Sequence, residues 1–292
     1  MVGLSKLLLL TQEELHNIVR REIVKVYSKI EEGSNYIVGK SEGVKPMLCV
    51  HLDTINTLSG TEARLNIDHL AMVDEYTIGL SSLGTKELAC LGGDDRAGVY
   101  IALKVLMDPE LREKYHIGFF KDEERGCIGS SNYLTEYRDY EEDVSAFIGL
   151  DRRGHSEVAT YGVDNEELIS IFTSLGYTQS MGSVTDASEL ANKVACVNLS
   201  VGYLREHTIQ ETQCIRTPDI TLQTLRVIAD KLATKVYNVE GGYLYDEGGY
   251  EDYEVYDKLE AYEQFIELMG YDPSKIYNKY VEENYNGSYL YR

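Results

Sequence analysis

Residues 46–53 read PMLCVHLD: a compact apolar run that ends on His51 and Asp53. A short apolar run of this kind is a strand covered on both faces, as in a parallel sheet. Three further runs share the form: HIGFF at 116–120, AFIGL at 146–150 and VACVNLSV at 194–201. Helical spacing occupies the intervals. The first helix is predicted over 11–30, opened by Thr11 and Glu14 at capping-box spacing, striped by Leu15, Ile18, Val19, Ile23 and Val26, and ended by Gly33. Others are predicted over 96–106, 130–137, 166–174 and 219–237, and weak alternation over 63–91 predicts one or two hairpins. Strands alternating with helices define an α/β fold with a mostly parallel central sheet flanked by helices.

The chain has 292 residues, 43% of them hydrophobic, enough for one large core with a smaller appendage. We expect a catalytic domain over 1–237. After it the composition shifts to Tyr, Glu, Asp and Gly, which predicts an acidic, Tyr-rich C-terminal extension over 238–292, partly helical at 256–269. The net charge of −21 repels phosphate backbones and anionic lipid heads, so neither nucleic acid nor a membrane is an expected partner. The five cysteines, Cys49, Cys90, Cys127, Cys196 and Cys214, form no C-x-x-C pair. That spacing argues against a disulfide framework and a thiolate metal site, and fits a reducing cytoplasm. The apolar run at 7–10 lacks the basic flank and cleavage site of a signal peptide.

In open parallel sheets ligands bind beyond the carboxyl ends of the strands. His51 and Asp53 follow the first strand, Glu123 and Glu124 follow the second, Asp151 follows the third, and His207 lies shortly beyond the fourth. The turn before the helix at 96–106 carries Gly92, Gly93, Asp94 and Asp95. Metal-capable side chains at five such places converge on one rim. Imidazoles and carboxylates without thiolates suit catalytic zinc, with cobalt or manganese as alternatives. Two ions sharing a carboxylate acidify a water and polarise a carbonyl, and a further carboxylate must move the proton. The pair Glu123 and Glu124 can divide those tasks, and Asp53 can hold His51 in one tautomer. Gly92 and Gly93 lack the Lys-Ser/Thr ending of a phosphate loop and read as room for a tight turn. His16, His69, His116 and His155 read as ordinary surface or core residues. Arg152 and Arg153 could hold a substrate carboxylate or simply face solvent.

The segments VHLDT (50–54), GGDDRAG (92–98), KDEERGCIG (121–129), GLDRRG (149–154) and VNLSVGYLREHT (197–208) resemble the metal-site motifs of the co-catalytic dinuclear zinc exopeptidase superfamily. The stretch TDASELANKVACVNLSVGY (185–203) resembles its tripeptide aminopeptidase branch. The resemblance runs from about 46 to about 210 and implies the following roles. Asp94 bridges two metal ions, His51 and Asp151 complete one site, and Glu124 and His207 complete the other. Glu123 is the general base and Asp53 orients His51. It also implies a cis peptide between Asp94 and Asp95.

The sequence departs from the family in one respect. Many relatives insert a lid or dimerisation domain between the last two ligand motifs, whereas here 55 residues separate Asp151 from His207, mostly accounted for by one helix and one strand. That lid often supplies an oxyanion-stabilising residue, so this role is unassigned; Arg205, Tyr203, His155 and the tail tyrosines are the candidates. The function expected is a dinuclear metal-dependent hydrolase of short peptides, an aminopeptidase. The alternatives are an amidohydrolase or deacylase acting on acylated amino acids or other small amides, and a non-catalytic binding scaffold of the same fold.

Overall fold

The computed structural model describes residues 3–240. In chain order the elements are α1 (Leu4–Leu7), α2 (Gln12–Ile23), β1 (Lys29–Glu32), β2 (Tyr36–Lys40), β3 (Lys45–His51), β4 (Leu70–Met72), β5 (Thr77–Leu80), α3 (Gly84–Glu87), α4 (Gly93–Met107), α5 (Pro109–Arg112), β6 (His116–Phe120), α6 (Ile128–Glu136), β7 (Val144–Arg152), β8 (Glu157–Thr160), α7 (Glu166–Thr173), β9 (Thr178–Met181), α8 (Asp186–Leu190), β10 (Cys196–Ser200), β11 (Tyr203–Leu204), β12 (Thr212–Cys214) and α9 (Thr217–Leu232).

The main sheet has eight strands in the order β1-β2-β6-β3-β7-β10-β8-β9. Its centre, β6, β3, β7 and β10, is parallel. These are the four apolar runs read from the sequence, and period-2 alternation divides their side chains between two layers. Leu48, Val50, Ile148, Leu150, Val197 and Leu199 pack in one layer with residues of α2, α4, α7 and α9. Met47, Cys49, Phe147 and Cys196 pack in the other, against Tyr133 of α6 and Leu190 of α8. A second, antiparallel sheet, β11-β12-β5-β4, takes up the hairpin expected within 63–91.

Three expectations need correction. The helix predicted over 11–30 keeps its Thr11–Glu14 capping box but ends at Ile23. Tyr27 turns inward and its hydroxyl donates to the carbonyls of Arg112 and Tyr115. The chain then forms the β1–β2 hairpin, with Ile30 opposite Gly39, so edge pairing overrides the continuing apolar stripe. Gly33 lies in that hairpin turn, its N–H bonded to the Tyr36 carbonyl at 3.1 Å. The helix predicted over 219–237 ends at Leu232, because Tyr237 bonds by its backbone to Ser145 and Ala195, each at 2.8 Å.

The segment between Asp151 and His207 holds more than one helix and one strand: it contains β8, α7, β9, α8, β10 and β11. β8 and β9 extend the main sheet to its edge, so the segment is woven into the central layer. Residues 238–240 bond back to Lys193 and Asp164; the rest of the expected extension, 241–292, lies outside the described residues. Among the described residues no helix is long and apolar enough to cross a membrane.

Candidate metal centre

The carboxyl ends of the parallel strands meet the start of α4. His51 is the last residue of β3, and Asp151 lies near the end of β7. Glu123 and Glu124 occupy a 3-10 turn, Glu123–Arg125, just after β6. Asp94 and Asp95 sit in the first turn of α4 with non-helical dihedrals, joined by a cis peptide bond as the resemblance implied. His207 follows β11. Among the described residues four non-glycine residues have positive φ, and they flank or carry these groups: Asp122 and Cys127 on either side of the glutamate turn, with Arg205 and His207 itself. Such outliers cluster where the surrounding structure fixes a functional geometry.

The two oxygens of Asp94 face different partners. Oδ1 lies 3.0 Å from His51 Nε2, and that same nitrogen is 3.5 Å from Asp151 Oδ1. Oδ2 lies 3.5 Å from His207 Nε2, which is 2.8 Å from Glu124 Oε1. The five residues expected as ligands are thus brought together as two imidazole–carboxylate pairs on either side of the Asp94 carboxylate. Among the described residues two overlapping groups could hold a metal ion: His51, Asp94 and Glu124, and His51, Asp95 and Asp151. Asp95 is an addition to the expected set. It is fully buried and accepts the N–H groups of His51 (3.2 Å) and Gly98 (2.9 Å).

The donor set fits a cation. Burial lowers the pKa of His51, yet Asp151, Asp53 and Asp94 outweigh it and hold that pKa well above the ordinary imidazole range. Hydrogen bonds that His207 donates to Asp94 and Glu124 raise its pKa to about 11. Asp151 is pushed up to about 6, first by burial and then by the charge of Asp94. Both imidazoles are thus driven to carry positive charge, because so many acidic groups crowd around them. A bound cation would supply that charge in place of the protons on these groups.

Asp53 has a wider role than the expected one. Its Oδ1 is 3.4 Å from His51 Nδ1, which is buried without a hydrogen-bond partner of good geometry. Its oxygens also accept the backbone N–H groups of Glu123 and Glu124, each at 3.1 Å. Asp53 therefore ties the β3 end to the glutamate turn. The fully buried Arg96 holds the same loop by donating to the carbonyls of Leu52 (2.8 Å) and Asp53 (3.2 Å). Glu123 is half-buried, with its pKa pushed up to about 9, first by burial and then by nearby Asp151, Asp186 and Asp94 against the pull of His51.

Several supporting side chains escaped the sequence reading. Thr185 Oγ1 donates to Asp151 Oδ2 at 2.9 Å. Asn198 brackets the Asp151 backbone with two bonds, of 2.8 and 2.9 Å. Tyr203, one of the oxyanion candidates, is buried and donates to Asp151, 3.0 Å from its carbonyl and 3.1 Å from its Oδ1. The other described candidates are also engaged: Arg205 with Gln210, and His155 with Thr217. Arg152 and Arg153 pair with Glu157 and Glu206. Thr185 and Tyr203 lie within the family-like stretch 185–203, which was the one available signal for them.

No protein-family model and no curated protein matches the chain. Solved structures do. A tripeptidase from Staphylococcus aureus is 15% identical, with 80% of this chain and 97% of that one covered at a TM-score of 0.57. The aminopeptidase PepT from Bacillus cereus is 14% identical, with 79% and 97% covered at 0.57. An aminopeptidase from the archaeon Desulfurococcus kamchatkensis is 15% identical, with 80% and 94% covered at 0.55. At these identities the likeness is one of fold, and the chain carries the α/β fold found in these peptidases.

Proposed function

We propose that this protein is a dinuclear metal-dependent hydrolase that cleaves amide bonds in short peptides as an aminopeptidase, with zinc as its metal. The observation that carries the reading is the placement of Asp94, whose two oxygens face two separate imidazole–carboxylate pairs. His51, Asp151 and Asp94 would hold one ion; His207, Glu124 and Asp94 would hold the other. Two imidazoles with carboxylates and no thiolate favour zinc at a catalytic rather than a structural site. Bound there, the ions would acidify a water and polarise the scissile carbonyl.

Glu123, which the charge of bound ions would hold ionised against the neighbouring carboxylates, performs the proton transfers. It takes a proton as the water oxygen bonds to the carbonyl carbon, and gives it to the amine nitrogen as the C–N bond breaks. Asp53 aims it by holding the turn on which it sits. The fold shared with a tripeptidase and aminopeptidases favours short peptides as substrate. The cysteines are all free and buried, which favours a reducing compartment such as the cytoplasm.

The test is metal content after zinc loading and gel filtration, followed by cleavage of di- and tripeptides with free or blocked N-termini. We expect about two ions per wild-type chain, lost in Asp94→Ala, and turnover only of peptides with free N-termini. A folded wild type that retains no stoichiometric metal would refute the reading.

A further inference from the structure

Glu211 lies four residues after His207, at the entry to β12, and is 1% exposed. Its Oε2 accepts the N–H of Gly92 at 2.9 Å, and its Oε1 accepts those of Gly93 at 2.7 Å and Asp94 at 3.3 Å. Three successive amides of one turn thus converge on one buried carboxylate. The turn can present them this way because Gly92 has a φ of +77°, the left-handed conformation that builds an anion-binding nest. A Cβ on Gly93 would lie 2.8 Å from Gln213 Oε1 and 3.1 Å from Glu211 Oε1, so a side chain there would push both groups out of place. Gln213 is fully buried and donates to the carbonyls of Val201 and Cys214 at 2.9 and 2.8 Å, which anchors β12 beneath Glu211.

Neither Asp94 nor Asp95 has helical dihedrals, so the regular ladder of α4 does not set where Asp94 points. We propose that Glu211 is the positioning residue of the dinuclear site: it clamps the turn at 92–94 so that Asp94 addresses both half-sites. The same residue ties that turn to the loop bearing His207, and so sets the separation of the two groups across the second half-site. The inference rests on the dinuclear reading given above. Tyr203 offers the contrast, since among the described residues its hydroxyl donates to Asp151 and therefore to one half-site.

The test compares wild type, Glu211→Gln and Tyr203→Phe by zinc titration against a chelating indicator, beside thermal unfolding of the metal-free proteins. The glutamine amide replaces one acceptor oxygen with a donor that faces an N–H. Loss of a partner behind a metal ligand typically weakens binding about 10–100-fold. We expect both ions to weaken by that factor in Glu211→Gln, and one of them in Tyr203→Phe. A carboxylate that merely satisfied buried amides would lower the unfolding temperature and leave zinc affinity unchanged. A folded Glu211→Gln that binds both ions as tightly as wild type overturns the proposal.

Amide exchange in metal-free wild type needs no variant to fold. The N–H groups of Gly93 and Asp94 should be protected, and exchange at the rate of an open loop overturns the clamp. A wild type that binds no zinc yet protects these amides refutes the dinuclear reading, and with it the positioning role, while leaving the clamp itself in place.

Discussion

Gly98 places α4 directly on the end of β7. A Cβ there would lie 1.9 Å from the Leu150 carbonyl oxygen and 2.4 Å from Asp95 Oδ1, whereas ordinary contact begins at 3.4 Å. Neither obstacle is the far end of a flexible chain: one is backbone, and the other is a buried carboxylate held by the N–H groups of His51 and Gly98. In Gly98→Ala, helix and strand must therefore part by about 1.5 Å. Two effects of opposite sign compete. Helix propensity alone favours alanine by about 1 kcal/mol. Overpacking of a tight contact costs about 1–3 kcal/mol, and a rigid obstacle places this site at the upper end. The net destabilisation is about 1–2 kcal/mol, or a fall in Tm of about 2–8 °C for a chain of this size. Thermal unfolding of the metal-free variant reads it. Leu150 precedes Asp151 and Asp94 precedes Gly98, so the same displacement separates Asp94 from Asp151 and should weaken zinc binding at least tenfold. A variant more stable than wild type would refute the packing argument, since only propensity would then be acting.

Two other outcomes are expected. Glu123→Gln should keep its metal complement while turnover falls by about 10²–10⁴-fold, and retention of turnover within tenfold would remove Glu123 from the proton transfers. His116 is fully buried, donates from Nε2 to the Asp143 carbonyl and accepts the Ser41 N–H at Nδ1, and burial pushes its pKa down to about 4. The unfolded imidazole titrates near 6.5, so between these values the unfolded chain binds the extra proton. The contribution of His116 is therefore fully present above about pH 6.5, is lost as pH falls towards 4, and amounts to about 3 kcal/mol. Denaturant unfolding at pH 7, 5.5 and 4 should show a slope shallower by about 1.4 kcal/mol per pH unit in His116→Asn, and parallel slopes would count against the linkage.

The legible parts of the molecule were those encoded locally. The runs at 46–50, 116–120, 146–150 and 194–201 are apolar on both faces because both faces are covered, so composition alone marked them as central strands. Their C-terminal ends then pointed to His51, Glu123, Glu124 and Asp151. The hairpin β1–β2 was hidden because Val26 and Ile30 continue the helical stripe of α2 by spacing, and only pairing with β6 shows where the helix stops. β9 is a short edge strand of largely exposed, polar residues, without an apolar signal. Glu211, Thr185 and Asn198 act on residues far away in the chain, at Asp94 and Asp151, so apolar periodicity does not announce the partnership, and only Thr185 and Asn198 fall in the family-like stretch 185–203.

The strand order also bears on how the chain reaches this structure during synthesis. β7 and β8 are joined by the four residues 153–156, yet they are not neighbours: β10 lies between them. The connection spans two inter-strand spacings, about 10 Å, and holds open a slot for a strand made later. About 40 residues separate the ends of β8 and β10, so at about 5–20 residues per second the slot stays empty for roughly 2–8 s. During that interval the unpaired edges of β7 and β8 lie within reach of each other, and closing them into a direct hairpin is the most local pairing on offer. Any such hairpin must open to admit β10. Sequence changes that tighten the turn at 153–156 therefore act on the yield of folding rather than on the finished sheet.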